Sequence, residues 1–327
     1  MTDARPIVHV GYHKTATTWF QQAVYPHATS HRYVPRRVVQ DALLAPSAFA
    51  FDPRAARAAL GTGPLVLCEE NLSGYIHNGG LNGHLSAAMA ERIRMVLPDA
   101  RIVIFVRAQP AMIAACYAQY VQGGGTHRPH RYLFPADHLH GAAADPWKAA
   151  RFSFDHFDYD ALCRRYRDLF GAEAVHVFPY EELRADREAF LKRFAERLEL
   201  GLKPARIDRR ERNVSYGRGA MTAGRLLNRF TARSAADKRV WLHLPFAYAG
   251  RRWLLDRVGR LSGGSASPEE VLGAPMIAWI ADRYAASNAR LAAESGLDLA
   301  AHDYPLAASV RPVPRPEVGR WRRWLAR

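Results

Sequence analysis

Four short apolar segments, separated by stretches with helical spacing, constrain the fold most strongly. They read IVHV (7–10), PLVLC (64–68), RIVIFVR (101–107) and AVHVFP (174–179). Each is rich in β-branched or aromatic residues and apolar almost throughout, which is typical of strands that are buried on both faces of a sheet. Between them, apolar residues recur on one helical face, for example at Leu85, Met89 and Ile93. The alternation predicts an α/β fold with a central parallel sheet flanked by helices.

The C-terminal part has a different character, because strand patterns fade after residue 200 and helical ones continue. The clearest helix is APMIAWIADRYAASNARLAAESG, whose shared face is formed by Ile277, Ile280, Tyr284, Asn288 and Leu291. We expect an α/β core over residues 1–200 and a helical, basic part over 201–327 that packs on the same core as one domain. The glycine-rich segments GGG (123–125) and LSGGSASP (261–268) predict loops, the first a candidate mobile lid beside the sheet.

The net charge of +15 is concentrated in that C-terminal part. From residue 201 onward there are 23 Lys and Arg residues against 11 Asp and Glu residues. Such an excess points to a polyanionic partner, a negatively charged small molecule or an anionic membrane surface, although an arginine-rich soluble surface explains it equally well. The basic residues form no recognisable RNA or DNA motif, so we expect no nucleic-acid partner. The ending GRWRRWLAR suits a lipid headgroup boundary, but a basic tail in water fits it better.

Targeting and redox features are sparse. The first residues lack a cationic leader followed by an apolar run, and no segment approaches the roughly 20 apolar residues that span a bilayer. We therefore expect a cytoplasmic protein with at most peripheral membrane contact. The cysteines Cys68, Cys116 and Cys163 show no Cys-x-x-Cys spacing, so we expect reduced packing residues rather than disulfides or zinc ligands.

The first strand leads into the segment IVHVGYHKTATTWFQQ (7–22), which places Lys14 and three threonines at the mouth of a helix. In an open α/β sheet, ligands bind at the carboxyl ends of the strands. If the helix begins near Thr15, its first free amides and its dipole face an incoming anion, with the charge of Lys14 beside them. The pattern predicts a phosphate-binding loop, although a capped helix with a solvated lysine would be the better interpretation if the motif stood alone. The spacing differs from the triphosphate-binding G-x-x-x-x-G-K-[ST], since Ala16 stands where glycine would be expected.

Three segments, in order along the chain, resemble sulfotransferases that use 3′-phosphoadenosine 5′-phosphosulfate (PAPS). HKTATTW is similar to their 5′-phosphosulfate loop, Lys-[Ser/Thr]-Gly-Thr-Thr-Trp. RIVIFVRAQPAMIAACYAQYV resembles their 3′-phosphate strand and helix, in which an Arg ends the strand and a Ser lies eight residues later. Arg107 fits the first of these positions, whereas Ala115 occupies the second and lacks the hydroxyl. VHVFPYEELRAD resembles the segment whose tyrosine lies near the adenine, which carries over to Tyr180.

The resemblance implies a role for each residue of the donor site. Lys14 would stabilise charge on the departing 5′-phosphate, which would be held by the amides of Thr15, Ala16, Thr17 and Thr18 and by the hydroxyls of the last two. Arg107 would bind the 3′-phosphate, which distinguishes PAPS from ordinary adenine nucleotides.

Two further pairs of residues have weaker assignments. Trp19 and Tyr180 would offer flat faces to the adenine, although packing in the core is the commoner fate of such aromatic residues. Arg218 and Gly219, in NVSYGRG (213–219), would belong to a loop that closes over the 3′-phosphate, or else to an ordinary solvent loop.

A general base is sought in PLVLCEENLSGY, where a predicted strand ends in two carboxylates. In carbohydrate sulfotransferases such a strand ends in Glu-Lys, with an aromatic residue five positions after the Glu. Glu70 and Tyr75 have that spacing, and Asn71 replaces the Lys, so we favour Glu70 over Glu69 as the base. Small-molecule sulfotransferases use a histidine instead, and His77 and His13 therefore remain candidates.

The function implied is sulfuryl transfer from PAPS to a hydroxyl or amine of a glycan, glycolipid or related metabolite. A sulfuryl group carries little negative charge and needs less metal assistance than a phosphoryl group, and we expect no metal site. The alternative is a P-loop metabolite or nucleotide kinase that uses ATP and Mg²⁺; the missing triphosphate-loop spacing disfavours it. Acceptor specificity would come from the loops around 71–83 and 122–148 and from the basic C-terminal helices.

Overall fold

A single parallel sheet forms the centre of the molecule. The structure is a computed structural model and describes residues 4–138, 152–202, 217–231, 238–244, 250 and 266–306. The strands in these ranges are β1 Ile7–Gly11, β2 Arg32–Tyr33, β3 Leu65–Cys68, β4 Arg101–Val106 and β5 Val175–Pro179. Neighbouring strands are parallel, in the order β2-β3-β1-β4-β5. The α/β prediction is confirmed, while β2 was missed because a two-residue strand has no readable periodicity.

Helices fill the connections between the strands and continue after β5. They are α1 Thr17–Trp19, α2 Arg36–Val39, α3 Pro53–Leu60, α4 Gly79–Asn82, α5 His84–Val96, α6 Gln109–Gln122, α7 Pro129–Leu133, α8 Tyr159–Phe170, α9 Tyr180–Ala185, α10 Arg187–Leu198, α11 Arg218–Leu227, α12 Pro268–Leu272 and α13 Ala274–Ser295. Helix α1 continues as a π-helical segment, Phe20–Val24, and a 3₁₀ turn, Tyr25–His27, and α2 continues as the π-helical segment Gln40–Leu44. A 3₁₀ turn, Glu70–Ser73, follows β3 directly.

Alternate residues of the strands enter two hydrophobic clusters, one on each face of the sheet. On β4, Ile102 and Ile104 belong to the larger cluster, whereas Val103 and Phe105 belong to the smaller one. This division follows from the period of two along a strand and explains why the strands read as continuous apolar runs. Of the predicted face of α13, Ile280, Tyr284 and Leu291 are buried in the larger cluster, whereas Ile277 is partly exposed.

A buried amide pair fastens α13 to the start of α6, next to the end of β4. The side chain of Asn288 donates to Oε1 of Gln109 at 2.9 Å, and Nε2 of Gln109 donates to Oδ1 of Asn288 at 2.7 Å. Both side chains are almost completely buried, so each has to find its hydrogen-bond partners inside the protein. The C-terminal helix therefore stabilises the segment that carries Arg107.

All three cysteines are free and buried, as the sequence predicts. Within the described residues, none of the helices combines the length and the apolar character that crossing a bilayer requires.

The glycine-rich segment 123–125 forms a packed turn, in agreement with the predicted loop, and its role as a mobile lid stays a prediction. Gly123 and Gly125 donate their amides to the carbonyls of Gln119 and Tyr120, both at 2.8 Å. Asn228, which follows α11, donates to the carbonyl of Gly125 at 2.6 Å from the other side. Of the second glycine-rich segment, residues 261–265 lie outside the described ranges, and α12 begins at its last residue.

We predict that Gly125→Ala destabilises the protein. A Cβ atom at this position would lie 2.2 Å from Cε1 of Tyr120. The ring of Tyr120 cannot easily move away, because it is stacked on the ring of Tyr132. Overpacking of this kind costs about 1–3 kcal/mol of the free energy of unfolding, measured by urea denaturation. The matched control is Gly219→Ala in α11, where a Cβ meets no atom within 4 Å and should add up to about 1 kcal/mol of helix stability. Equal effects of the two substitutions would contradict the steric explanation.

Candidate active site

The carboxyl ends of four neighbouring strands bring the predicted site residues to one edge of the sheet. β1 ends before the loop 12–16, β3 before Glu69 and Glu70, β4 before Arg107, and β5 before Tyr180. Parallel strands place these ends side by side, as expected for a ligand site in an open α/β sheet.

The loop after β1 is tighter than the sequence indicates. Lys14 and Ala16 both have left-handed backbone conformations, with φ angles of 61° and 67°. Because a left-handed residue cannot continue a right-handed helix, α1 begins at Thr17 and not near Thr15. The hydroxyl of Thr15 is fully buried and donates to the carbonyl of Tyr12 at 2.5 Å, so it stabilises the loop. By the rule for helix starts, the amides of Thr17 and Thr18 are the ones available to a ligand.

Two cations meet at the ends of β1 and β4. Nη1 of Arg107 donates to the backbone carbonyl of Lys14 at 3.2 Å, and the carbonyl of Arg107 accepts a hydrogen bond from Tyr159 at 2.7 Å. Within the described ranges, neither Lys14 nor Arg107 forms an ion pair with a carboxylate. Burial lowers the pKa of Lys14, the charge of Arg107 lowers it further, and Glu70 opposes the effect. Two cations at adjoining strand ends, without an ion-paired carboxylate in the described part of the chain, are suited to binding an anion.

Glu69 is the most strongly held side chain of the site. Its carboxylate is fully buried and accepts five hydrogen bonds, from Arg36 (Nε at 2.7 Å, Nη2 at 3.2 Å), Gln40 (2.7 Å) and Asn71 (backbone N at 3.0 Å, Nδ2 at 2.7 Å). Burial alone raises the pKa of Glu69, but the hydrogen bonds from Arg36, Asn71 and Gln40 outweigh it and lower the pKa overall. Glu69 is thus an ionised structural anchor with little capacity left for a substrate.

Glu70 is placed differently, at the rim. Its side chain is 12% exposed and accepts one hydrogen bond per oxygen, from Nη2 of Arg36 at 3.0 Å and from Nε2 of Gln21 at 3.2 Å. Gln21 also donates to the carbonyl of Cys68 at 3.0 Å. Because Gln21 lies on the helical segment that continues α1, it connects the loop of Lys14 to the carboxylate of Glu70.

Asn71, which is bound to Glu69, orients the ring of His13. Nδ2 of Asn71 donates to Glu69, so Oδ1 of Asn71 faces Nε2 of His13 at 3.2 Å. An amide oxygen only accepts, and we therefore assign the ring proton of His13 to Nε2. Its Nδ1 is then a bare acceptor, buried and without a partner among the described residues. Burial lowers the pKa of His13 to about 4, so the ring is neutral at neutral pH.

Two more histidines lie close to this group. Nδ1 of His77 is 2.6 Å from the hydroxyl of Tyr132, and burial lowers the pKa of His77 to about 4, with His13 and Lys14 adding to the effect. His156 is buried as well, and burial lowers its pKa to about 3. Tyr75, the aromatic residue five positions after Glu70, is exposed and lies edge-on to the ring of His77.

The remaining donor-site candidates are only partly brought together. The ring of Tyr180 lies 5.2 Å from the guanidinium carbon of Arg107. The ring of Trp19 packs edge-on to Phe20 and lies 5.2 Å from the guanidinium carbon of Arg187, which favours a packing role.

Helix α6 supplies the position where the family pattern has a serine. Ala115 is partly exposed on α6. Its neighbour Cys116 lies within electrostatic reach of both Lys14 and Arg107, so this turn of the helix borders the two cations.

Of the predicted closing loop 213–219, the structure describes only the last three residues. Helix α11 begins at Arg218, directly after the buried Gly217, and Gly219 is exposed within its first turn. Residues 213–216 and the side chain of Arg218 lie outside the described part of the chain. The described part of the chain also contains no group of three or more His, Cys, Asp or Glu side chains suited to holding a metal ion.

Several residues of the site had no signal in the sequence. Arg36 and Gln40 reach Glu69 from a separate helix, and His156 comes from the 3₁₀ turn Phe154–Phe157. Gln21 could have been suspected, because it lies one helical turn beyond the loop threonines.

Comparison with known proteins agrees with this geometry. Residues 66–204 match the family model described as Sulfotransferase family. Over that segment the chain is similar to the sulfotransferase family. The matched residues include Glu70, Arg107 and Tyr180, whereas Lys14 precedes them. The resemblance predicted from the sequence is confirmed at this level, and the carbohydrate branch remains a prediction.

Among solved structures, the chain is similar to a sulfotransferase from Alicyclobacillus acidocaldarius. The two share 18% identity, with a TM-score of 0.43, over 61% of this chain and 82% of the other. A comparison with curated proteins gave no match.

We predict a pH-dependent contribution of Glu69 to stability. The pKa of Glu69 is lowered on folding, so its stabilisation is complete above the ordinary value of 4.5 and is lost as the pH falls through the folded-state pKa. Glu69→Gln should lower the free energy of unfolding at pH 7 by about 1–3 kcal/mol. In urea titrations this deficit should shrink below about pH 4.

The control for Glu69 is Asp41→Asn, which removes an exposed ion pair with Arg37 and should change stability by at most about 0.5 kcal/mol. A deficit of Glu69→Gln that stays constant from pH 7 to pH 3 would show that shape, and not ionisation, is responsible.

Proposed function

We propose that the protein is a PAPS-dependent sulfotransferase that transfers a sulfuryl group to a hydroxyl or amine of a glycan, glycolipid or related metabolite. The observation that carries the proposal is the pair of cations, Lys14 and Arg107, at the ends of adjacent strands, neither of which forms an ion pair with a carboxylate of the described residues. A donor with separate 5′- and 3′-phosphates would supply an anion to each of them. The family match over residues 66–204 supports sulfuryl transfer as the reaction class.

The phosphate groups of the donor would be held by the loop after β1 and by the end of β4. Bound PAPS would supply a sulfuryl group activated by its bond to the 5′-phosphate. The ammonium of Lys14 would donate to the oxygen on which negative charge develops, and the amides and hydroxyls of Thr17 and Thr18 would hold the rest of that phosphate. Arg107, already stacked on Tyr180, would bind the 3′-phosphate through its planar guanidinium.

The periphery of the donor site differs from the family pattern at Ala115. Without the serine hydroxyl, the 3′-phosphate would lose one donor, and Arg218 and Gly219 at the start of α11 are proposed to contact it instead. Tyr180 would border the adenine. Trp19 is the weaker adenine neighbour, because its ring packs against Phe20 and Arg187.

Glu70 is the proposed general base. A carboxylate can accept about four hydrogen bonds, and Glu70 accepts one on each oxygen within the described residues. Glu70 is therefore able to take a proton from an acceptor hydroxyl at the rim, whereas Glu69 is saturated and fully buried. His13 and His77, which are neutral at neutral pH, remain the alternatives.

We predict that the protein binds adenosine 3′,5′-bisphosphate without a metal ion and that Arg107 reads its 3′-phosphate. Arg107→Ala should weaken binding of this ligand by roughly 10- to 100-fold in calorimetry, the worth of a charged hydrogen-bond pair. Binding of adenosine 5′-phosphate should change much less. Arg193→Ala, which removes a cation paired with Glu182 on the surface, serves as the control. Equal losses for both ligands would exclude this role, and binding of ATP with Mg²⁺ alone would favour a kinase.

We predict that Glu70→Gln lowers the rate of sulfuryl transfer by roughly two to four orders of magnitude. The substitution preserves shape and removes the proton acceptor, so the affinity for adenosine 3′,5′-bisphosphate should stay nearly unchanged. Transfer of radiolabelled sulfate from PAPS to extracts fractionated by polarity measures the rate and locates the acceptor. Near-normal turnover of Glu70→Gln together with loss of turnover in His77→Ala would assign the base to a histidine.

A further inference from the structure

An exposed apolar strip lies on the surface beside α11. We call it the tryptophan strip and define it by five exposed side chains: Leu226, Val240, Trp241, Leu242 and Leu244. Trp241 is 63% exposed and Leu242 is 57% exposed, and every residue from 239 to 244 is exposed. Single exposed apolar residues are ordinary on protein surfaces, but a contiguous group usually marks a contact site.

The backbone of the strip is held in place, so the exposure of its side chains is part of the fold. The amide of Trp241 donates to the carbonyl of Arg229 at 2.8 Å, and the amide of Leu244 donates to that of Phe230 at 3.0 Å. The amide of Arg239 donates to Oγ1 of Thr126 at 2.8 Å. Backbone hydrogen bonds thus anchor the strip at both ends, while its apolar side chains point away from the core.

Cations surround the tryptophan strip. The guanidinium carbon of Arg229 lies 4.4 Å from the ring centroid of Trp241, and Arg239 is exposed at the start of the strip. Arg225, one residue before Leu226, is partly exposed and donates to Tyr117 at 2.8 Å. The described residues 217–231 and 238–244 contain five Lys and Arg residues and no Asp or Glu.

We infer that the tryptophan strip docks on the surface of an anionic lipid membrane. Tryptophan and leucine side chains partition into the boundary between headgroups and acyl chains, and neighbouring arginines pair with lipid phosphates while their stems cover apolar surface. A second copy of the chain is a poorer occupant, because a symmetric contact would place the arginines of both copies, Arg225, Arg229 and Arg239, in one interface. This inference about membrane binding does not depend on the proposed sulfotransferase activity.

This surface differs from the C-terminal segment GRWRRWLAR (319–327), the membrane-contact candidate from the sequence, which lies outside the described residues. The strip instead adjoins the packed turn 123–125 through Asn228 and Thr126. The two candidates can therefore be separated by substitution.

The test is cosedimentation of the full-length protein with vesicles of phosphatidylcholine alone or mixed with phosphatidylglycerol. The wild-type protein should bind the mixed vesicles and be released by high salt. Trp241→Ser combined with Leu242→Ser should reduce binding at least about tenfold, because both apolar insertion and the stacking partner of Arg229 are lost. Phe49→Ser combined with Met95→Ser removes two exposed apolar residues elsewhere and should bind like the wild type.

A second variant distinguishes the loss of membrane contact from a folding defect. Leu226→Ser combined with Leu244→Ser leaves the packing of Trp241 on Phe230 and Arg229 untouched and should also weaken binding. Absence of wild-type binding to the mixed vesicles would overturn the inference. It would equally be overturned by full binding of both strip variants, or by a strip variant that converts a dimer to a monomer in sedimentation while binding vesicles normally.

Discussion

A carboxylate without solvent contact has to be neutralised by its neighbours, and Glu69 imposes this requirement at the edge of the sheet. Arg36 donates to Glu69 from Nε and Nη2, and its Nη2 also donates to Glu70. Asn71 meets the same requirement with two donors, which leaves its carbonyl oxygen facing His13. One buried charge therefore orients both kinds of candidate base, the rim carboxylate and the histidine, and the loss of its ionisation would disturb them together.

The parts of the molecule that could be predicted from sequence are those governed by local periodicity. The four long strands are continuous apolar runs because both faces of a parallel sheet are covered. Once these strands are known, parallel topology alone places the residues that follow them at one edge, so Lys14, Glu70, Arg107 and Tyr180 could be grouped without further information. The buried face of α13 could be predicted for the same reason, since its spacing is regular over 22 residues.

The parts that could not be predicted depend on the backbone conformation of single residues or on contacts distant in sequence. Nothing in a lysine or an alanine indicates the left-handed conformations of Lys14 and Ala16 that delay the helix to Thr17. Arg36 reaches Glu69 across 33 positions, a contact that only the folded topology creates. The glycines at 123–125 suggested freedom, but the ring of Tyr120 takes the space that a side chain at Gly125 would need.

The place of β1 in the sheet bears on where this protein can be divided. The family match begins at residue 66, inside β3, yet β1 (Ile7–Gly11) lies between β3 and β4 and pairs with both. A fragment that began at the match would therefore contain two strands that never touch, each with an open row of backbone donors and acceptors along the line that β1 normally fills. The matched segment therefore does not contain the whole sheet, because its central strand comes from the beginning of the chain and is inserted between two later strands.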